Sequence, residues 1–390
     1  MWKDGTLFAG MHTAFREKKL TLRQNRITRN RRGMKELTMP ALSAATAAAM
    51  ELLERLVRIP AVSREEKEKA DFLEKYLMDR GLHPRRMGNN LWCEGEAWDD
   101  RRPALLLNAH IDTVKPVKGW LRDPYGAVRE GDRLYGLGTN DCGGGLVSLL
   151  AAFELLHRDA TLPWNLVFLA SAEEEVSGRN GLEAALPLLP PVEVALVGEP
   201  TGMQPAIAEK GLMVLDVTAR GKAGHAAREE GVNALYEALP DIEWFRTHRF
   251  ERKSDLLGPV KMSVTVIQAG SQHNVVPDEC RFTVDVRPNE CYSNEELLAE
   301  IRKNVRAEVV PRSTRLNSSR IDPEHPLVKR AVALGGRPYG SPTLSDQALM
   351  PFPSFKMGPG DSARSHMADE FIRDNEVEAA IATYVRLLAE

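Results

Sequence analysis

The spacing of apolar residues along this chain changes twice, and the changes divide it. Up to about residue 205, short apolar runs alternate with helical patterns. Ser43 is placed to cap a helix that runs through Ala-rich sequence into MELLERLVRI, and Pro60 stops it. A second helix is predicted over Arg64 to Arg80, with Ala70, Leu73, Tyr76 and Leu77 on one face and Gly81 at its end. Leu105-Leu106-Leu107, in LLLNAHIDTV, reads as a buried strand that delivers His110 and Asp112 to its C-terminal end. Residues two apart on a strand point to the same side, so the Asp112 carboxylate is expected beside His110. A loop rich in Trp, Pro and Gly leads to the short segment Leu134-Tyr135-Gly136. After Asp141, three glycines open an apolar helical pattern from Leu146 to Leu156. Trp164 to Ala170 and Val194 to Val197 are further buried strands. Strands alternating with helices predict an α/β domain.

After Pro205 the period changes. Leu212 to Thr218 alternates as a strand, a helix fits Asn233 to Phe245, and strands follow at Lys261 to Gln268 and Arg281 to Val286. A helix then runs from Ser293 to about Val309. This order suits an α+β insert with an antiparallel sheet. The tail returns to the first habit, with a helix near Leu327 to Leu334, a strand at Ser354 to Met357 and a closing helix from Asn375 to Leu388. The predicted fold is α/β, a mixed and mostly parallel sheet flanked by helices, interrupted by a smaller α+β domain. The boundaries are a basic extension over 1–38, a first part of the main domain over 39–206, the insert over 207–312, and a second part over 313–390.

Composition removes several classes of function. The 390 residues are 43% hydrophobic and 27% charged, which suits a globular protein with a sizeable core. A net charge of −3 provides no global field for nucleic acid or an anionic membrane surface. No apolar run reaches the roughly 18 residues of a spanning helix. Cys93, Cys142, Cys280 and Cys291 form no CxxC pair and read as reduced thiols of a cytoplasmic protein. The first forty residues are rich in Lys and Arg, yet hold no apolar core of a secretory signal. They read as a disordered extension, or as sequence upstream of a later start at Met34 or Met39, rather than as a transit peptide or nucleic-acid arm.

Candidate chemistry collects at the ends of the predicted strands, where open α/β sheets place their ligands. His110 and Asp112 come first, then Asp141 in GLGTNDCGGG, then the triplet Glu173-Glu174-Glu175 after WNLVFLASA. Glu199 follows the next strand in ALVGEPT, and His366 lies in GPGDSARSHMADE. Two histidines and several carboxylates suit borderline divalent metals, zinc first, then cobalt or manganese. One carboxylate can bridge two ions, and a neighbouring acid can take the proton of a metal-activated water.

In that order, H-x-D, G-x-x-x-D-x-x-G-G, E-E, G-E-P-T and a late His, the chain resembles the di-zinc deacylase and peptidase family. That family includes acetylornithine deacetylase, succinyl-diaminopimelate desuccinylase, aminoacylase and glutamate carboxypeptidase. The resemblance covers about Met39 to the C-terminus. It implies a catalytic domain with a lid and dimerisation domain inserted, and two Zn2+ per subunit (Co2+ or Mn2+ as substitutes). Asp141 would bridge the metals, His110 and Glu175 would complete one site, and Glu199 and His366 the other. Glu174 would be the general base and Asp112 would orient His110. The triplet leaves a choice between Glu173-Glu174 and Glu174-Glu175, and the following Val-x-Gly favours the second. The resemblance also implies a cis Asp141–Cys142 peptide. In the insert, GKAGHAA resembles the segment that carries a substrate-polarising histidine, here His225, lent across a homodimer interface. QHNVVPD places Asn274 near the site, and Arg287, with Arg364 as a second candidate, would bind a substrate carboxylate. The tail resembles the branch acting on N-acyl-ornithine or N-acyl-citrulline in arginine biosynthesis. Succinyl-diaminopimelate desuccinylase is the nearest alternative, then a dipeptidase or carboxypeptidase, and, in a different class, a non-catalytic metal-binding scaffold.

Overall fold

The structure, a computed structural model, describes residues 27–29 and 35–389. The expectation for the basic extension therefore lies mostly outside the described residues. Its described segments, Ile27–Arg29 and Lys35–Leu37, pair as antiparallel strands. The chain divides into two compact units. One comprises residues up to Gln204 with Lys329–Gly336 and Lys356–Glu390, the other Pro205–Val328 with Arg337–Phe355. The second unit thus takes in more of the tail than the predicted 207–312.

The first unit is built on strands Arg85–Met87, Asn90–Glu94, Asn165–Ser171, Ala104–His110 and Val192–Val197, in that spatial order. Ala104–His110 runs parallel to both of its neighbours, while Asn90–Glu94 is antiparallel to Asn165–Ser171. Every residue of Ala104–His110 and of Asn165–Ser171 is buried, as continuous apolar runs require when both faces of a sheet are covered. Helices Met39–Val57, Gly144–Leu156 and Asp374–Leu388 pack on one another, and Gly144–Leu156 lies against the sheet. Register does the decisive positioning. His110 stands opposite Ser171, and Asn108 opposite Val197. The segments carrying Glu174, Glu175 and Glu199 therefore leave the sheet at the level of His110. Close approach completes the arrangement: a Cβ on Gly145 would lie 1.7 Å from the Gly198 carbonyl oxygen.

The second unit holds a four-stranded antiparallel sheet in the order Lys261–Ala269, Glu279–Arg287, Met213–Arg220, Glu308–Pro311. Met213–Arg220 alternates buried and half-buried positions, the mark of a sheet with one covered face. Helices Ala234–Thr247 and Asn294–Asn304 supply Ala238, Phe245, Leu297 and Ile301 to a core shared with Leu215, Phe282 and Val284. The α/β fold with an α+β insert is the one predicted.

Two element boundaries differ from expectation. The first helix begins at Met39, with Thr38 as N-cap and Pro40 in its first turn, rather than at Ser43. A Thr before a helix-initiating proline is the stronger start signal. The helix after Ser293 ends at Asn304 instead of about Val309, because Val305 turns to extended backbone and Glu308–Pro311 pairs with Met213–Arg220. Among the described residues no helix is long and apolar enough to cross a membrane, and the four cysteines are free thiols.

Candidate metal centre

His110 is the fixed point. It closes the central strand and is 2% exposed. Its Nδ1 lies 3.0 Å from the backbone oxygen of Asp112 and 3.5 Å from that residue's Oδ1. With Nδ1 protonated and donating, Nε2 keeps its lone pair for a cation. That nitrogen faces Asp141 Oδ1 at 3.3 Å and Glu199 Oε1 at 3.5 Å, with Glu174 Oε2 at 3.9 Å. Asp141 turns its other oxygen to the second histidine, Oδ2 lying 3.6 Å from His366 Nε2. His366 Nε2 is 2.9 Å from Glu175 Oε2.

The five expected ligands therefore converge. Glu199 makes the direct contact with His110 and Glu175 with His366, each pair beside Asp141, and the expected grouping of His110 with Asp141 and Glu175 also brings its ligand atoms within 4.8 Å of one another. The strand register explains the direct contacts. Glu199 follows a strand directly beside that of His110, and the Glu174–Val176 turn carries Glu175 out to the His366 loop. The Asp141–Cys142 peptide is cis, as expected.

Asp112 has a further task beside the one predicted. The nearer partner of the His110 ring is its backbone oxygen. Its carboxylate accepts from the Glu174 amide at 3.1 Å, the Glu175 amide at 3.2 Å and Ser63 Oγ at 2.7 Å. It thereby holds the turn on which both acids sit. The triplet also separates. The Glu173 carboxylate turns away to the Asn180 side chain at 3.0 Å, leaving Glu174 and Glu175 at the centre.

Electrostatics mark the site as built for cations. Burial, and then the negative charge of Asp141, push the Glu199 carboxyl up to about 8, against the pull of His110 and Lys356. Burial also opposes ionisation of Asp141, yet His110, Ser365 and His366 hold it below the usual carboxylate range. Hydrogen bonding to Glu175 raises His366 to about 9. Carboxylates crowded to this degree carry surplus charge that a divalent ion relieves. His110, Cys142 and Glu199 also bring ligand atoms within 4.8 Å of one another. Burial pushes the Cys142 thiol up to about 12, and its Sγ accepts from the His110 amide at 3.3 Å. The donor set of two histidines and three carboxylates, Asp141 among them, fits a pair of divalent cations.

Two residues escaped the sequence reading. Glu370, 1% exposed, accepts from the amides of Gly138 at 3.1 Å, Asn140 at 2.8 Å and Asp141 at 2.9 Å. Asn140 joins the same loop to the His366 segment, donating to the Asp361 carbonyl at 3.0 Å and accepting from its amide at 3.0 Å. The one available signal was an acid shortly after His366 and directly before an apolar strand.

The remaining candidates have other surroundings. Arg364 is paired bidentately with Glu376 at 2.9 Å and lies over the Phe371 ring. In the second unit, Arg287 is paired with Asp285 at 2.8 and 3.0 Å. His225 is exposed, and its Nδ1 accepts from the Ala227 amide at 3.1 Å. The paired segments Gly224–His225 and Val275–Val276 bring it beside Asn274, whose carbonyl accepts from the Ala226 amide at 3.0 Å.

Residues 106–390 match the model of peptidase family M20/M25/M40. The chain belongs to that family. Among its curated relatives is the succinyl-diaminopimelate desuccinylase of Dinoroseobacter shibae, 32% identical over 275 residues, which are 65% of this chain and 71% of the relative. The acetylornithine deacetylase of Erwinia tasmaniensis is 28% identical over 292 residues, 69% of this chain and 75% of that one. Solved structures of the same fold include aminopeptidase PepT of Bacillus cereus, with a TM-score of 0.73 and 19% identity over 88% of this chain and 98% of that one. The YXEP protein of Bacillus subtilis, described as a dinuclear metal binding peptidase, follows with 0.70 and 18% over 89% and 98%. As an M20/M25/M40 member with deacylase relatives, the chain is a hydrolase acting on amides.

Proposed function

We propose that this amidohydrolase removes an acetyl or succinyl group from an N-acyl amino acid such as N-acetylornithine or N-acylcitrulline, in arginine biosynthesis. The observation that carries the reading is the convergence of His110, Glu199, Glu175 and His366 on the two oxygens of Asp141, with Glu174 beside them. His110, Asp141 and Glu199 would hold one divalent cation, and Asp141, Glu175 and His366 the other, zinc being the first choice. Bound there, the ions would polarise the scissile carbonyl and make a water acidic enough to lose its proton at neutral pH. Glu174 takes that proton and passes it to the departing amine. Asp112 keeps Glu174 in place through its backbone amide. His225 donates to the carbonyl oxygen as negative charge develops on it. Asn274 helps bind the substrate, and Arg287 and Arg364 are the candidates for its carboxylate, which must compete with Asp285 and Glu376.

A second reading, desuccinylation of succinyl-diaminopimelate, is supported by the name of the Dinoroseobacter relative. A dipeptidase or carboxypeptidase comes after it. A non-catalytic scaffold would have no use for Glu174 beside an intact ligand set. The enzyme is proposed to be a cytoplasmic homodimer joined through the second unit. The edge strand Lys261–Ala269 leaves Val266 and Ile267 about half exposed, and the helix Ala234–Thr247 exposes Tyr236 and Leu239. Metal analysis with a panel of N-acetyl and N-succinyl forms of ornithine, citrulline and diaminopimelate tests the proposal. Turnover of a diaminopimelate substrate alone would select the second reading, and absence of both metal and turnover would remove both.

A further inference from the structure

We infer that Glu370 is a positioning residue of the metal centre, setting the separation between Asp141 and His366. This rests on the reading of those two residues as ligands.

The Glu370 carboxylate is spent on backbone amides. Oε1 takes two amides, those of Asn140 and Asp141, and Oε2 takes that of Gly138. The backbone oxygen of the same residue accepts from Gly136 at 3.0 Å. One side chain and one carbonyl thus grip the loop over 136–141, including the amide of the bridging residue itself. Glu370 is also four residues from His366, and Asn140 ties the start of that segment back to the same loop. Ser365, the residue before His366, adds further ties to the same loop through Asn140 and Asp141. Gly138 sits at φ +79°, where a side chain would be strained, so the loop takes the shape in which three amides point at one carboxylate. Groups that hold a ligand in this way typically alter metal affinity or activity by about 10- to 100-fold when changed.

Glutamine at this position keeps the volume but not the pattern. Its oxygen can serve Asn140 and Asp141, and its amide nitrogen then faces the Gly138 N–H, donor against donor. Calorimetric titration of the metal-stripped full chain with Zn2+, paired with the visible absorption of the Co2+ form, reads the consequence. Glu370→Gln is expected to melt within a few degrees of the unaltered protein. At least one Zn2+ step should weaken by about 10-fold or more, and the Co2+ bands should shift. Unchanged Zn2+ affinities and Co2+ bands would overturn the inference, whether or not the melting temperature falls. His366→Ala, titrated alongside, separates the two levels. If it keeps every Zn2+ step, the ligand reading itself fails. If it loses a step and Glu370→Gln does not, only the role of Glu370 fails. Should Glu370→Gln not fold, hydrogen exchange on the unaltered metal-stripped protein decides. Slow exchange at Asn140 and Asp141 is expected, and exchange at the rate of an open loop would overturn the inference.

Discussion

The two units hold their candidate site histidines differently. In the first, His110 is buried at a strand end and His366, though exposed, is held against Glu175. The acids around them are fixed through backbone amides, Glu174 and Glu175 by Asp112, Asp141 by Glu370. In the second, His225 is exposed on a pair of two-residue strands, with a single side-chain hydrogen bond to a nearby amide. The first arrangement is preorganised within its own unit and would keep its shape without substrate. The second has few contacts that fix a ring, and gains precision only when something covers it. Substitution of a group that fixes the acids of the first unit should therefore disturb metal binding and turnover together, while substitution of His225 should disturb turnover alone.

The largest expected effect sharpens this contrast within the first unit. Glu174→Ala removes the proposed base and no proposed ligand. Turnover should fall by about 1,000-fold or more with metal content unchanged. Wild-type turnover on the best substrate of the panel would sink the assignment. Next comes His225→Ala, with a loss in kcat of about 100-fold or more, while Zn2+ affinity and melting temperature stay as they were. If Zn2+ affinity falls with it, the division between the units is wrong. Asp112→Ala should be smaller in turnover, about 10- to 100-fold, but broader. It frees the amides of Glu174 and Glu175 and Ser63 Oγ together, so Zn2+ affinity and melting temperature should fall as well. A loss confined to kcat would mean that Asp112 acts on the His110 ring alone.

The same contrast explains what was legible from residues in order. The LLL run foretold a buried strand ending at His110 because its burial is local and continuous. The ligand types were legible because each follows an apolar strand or a glycine turn. Which of them stand in direct contact was not, since that depends on which parallel strands are neighbours and on the path of the Glu174–Val176 turn. Glu370 and Asn140 were also missed, because their partners are backbone groups more than 200 residues away in the chain. Glu173, Glu174 and Glu175 looked alike in sequence. Only the left-handed backbone at Glu173, φ 55°, sends its side chain apart from the other two. Arg287 and Arg364 were expected to bind a substrate carboxylate, and each is paired with an acid of this chain, Asp285 and Glu376.

The smallest effect concerns a buried histidine without the carboxylate shell. His157 follows the helix Gly144–Leu156, is 6% exposed, and stacks on Phe153. Burial, and then the charge of Arg158, lower it to about 4, with Glu96 pulling weakly the other way. His366 moves in the opposite direction, to about 9, because Glu175 is bonded to it. The sign for His157 follows from proton counting. In the unfolded chain it binds a proton as pH falls through about 6.5, and in the folded chain only near 4. Between those values the unfolded state holds more protons, so the folded state loses stability as pH falls, and the contribution is fully present above 6.5. At about 1.4 kcal/mol per pKa unit, the loss by pH 4.5 is about 2 kcal/mol. His157→Leu removes the titration while keeping an apolar group against Phe153. Urea denaturation of the metal-stripped proteins at pH 7 and pH 4.5 should show the variant losing about 2 kcal/mol less than the unaltered chain over that interval. Equal losses would mean that the ring is protonated in the folded state, and that burial alone does not set a histidine's charge in this unit.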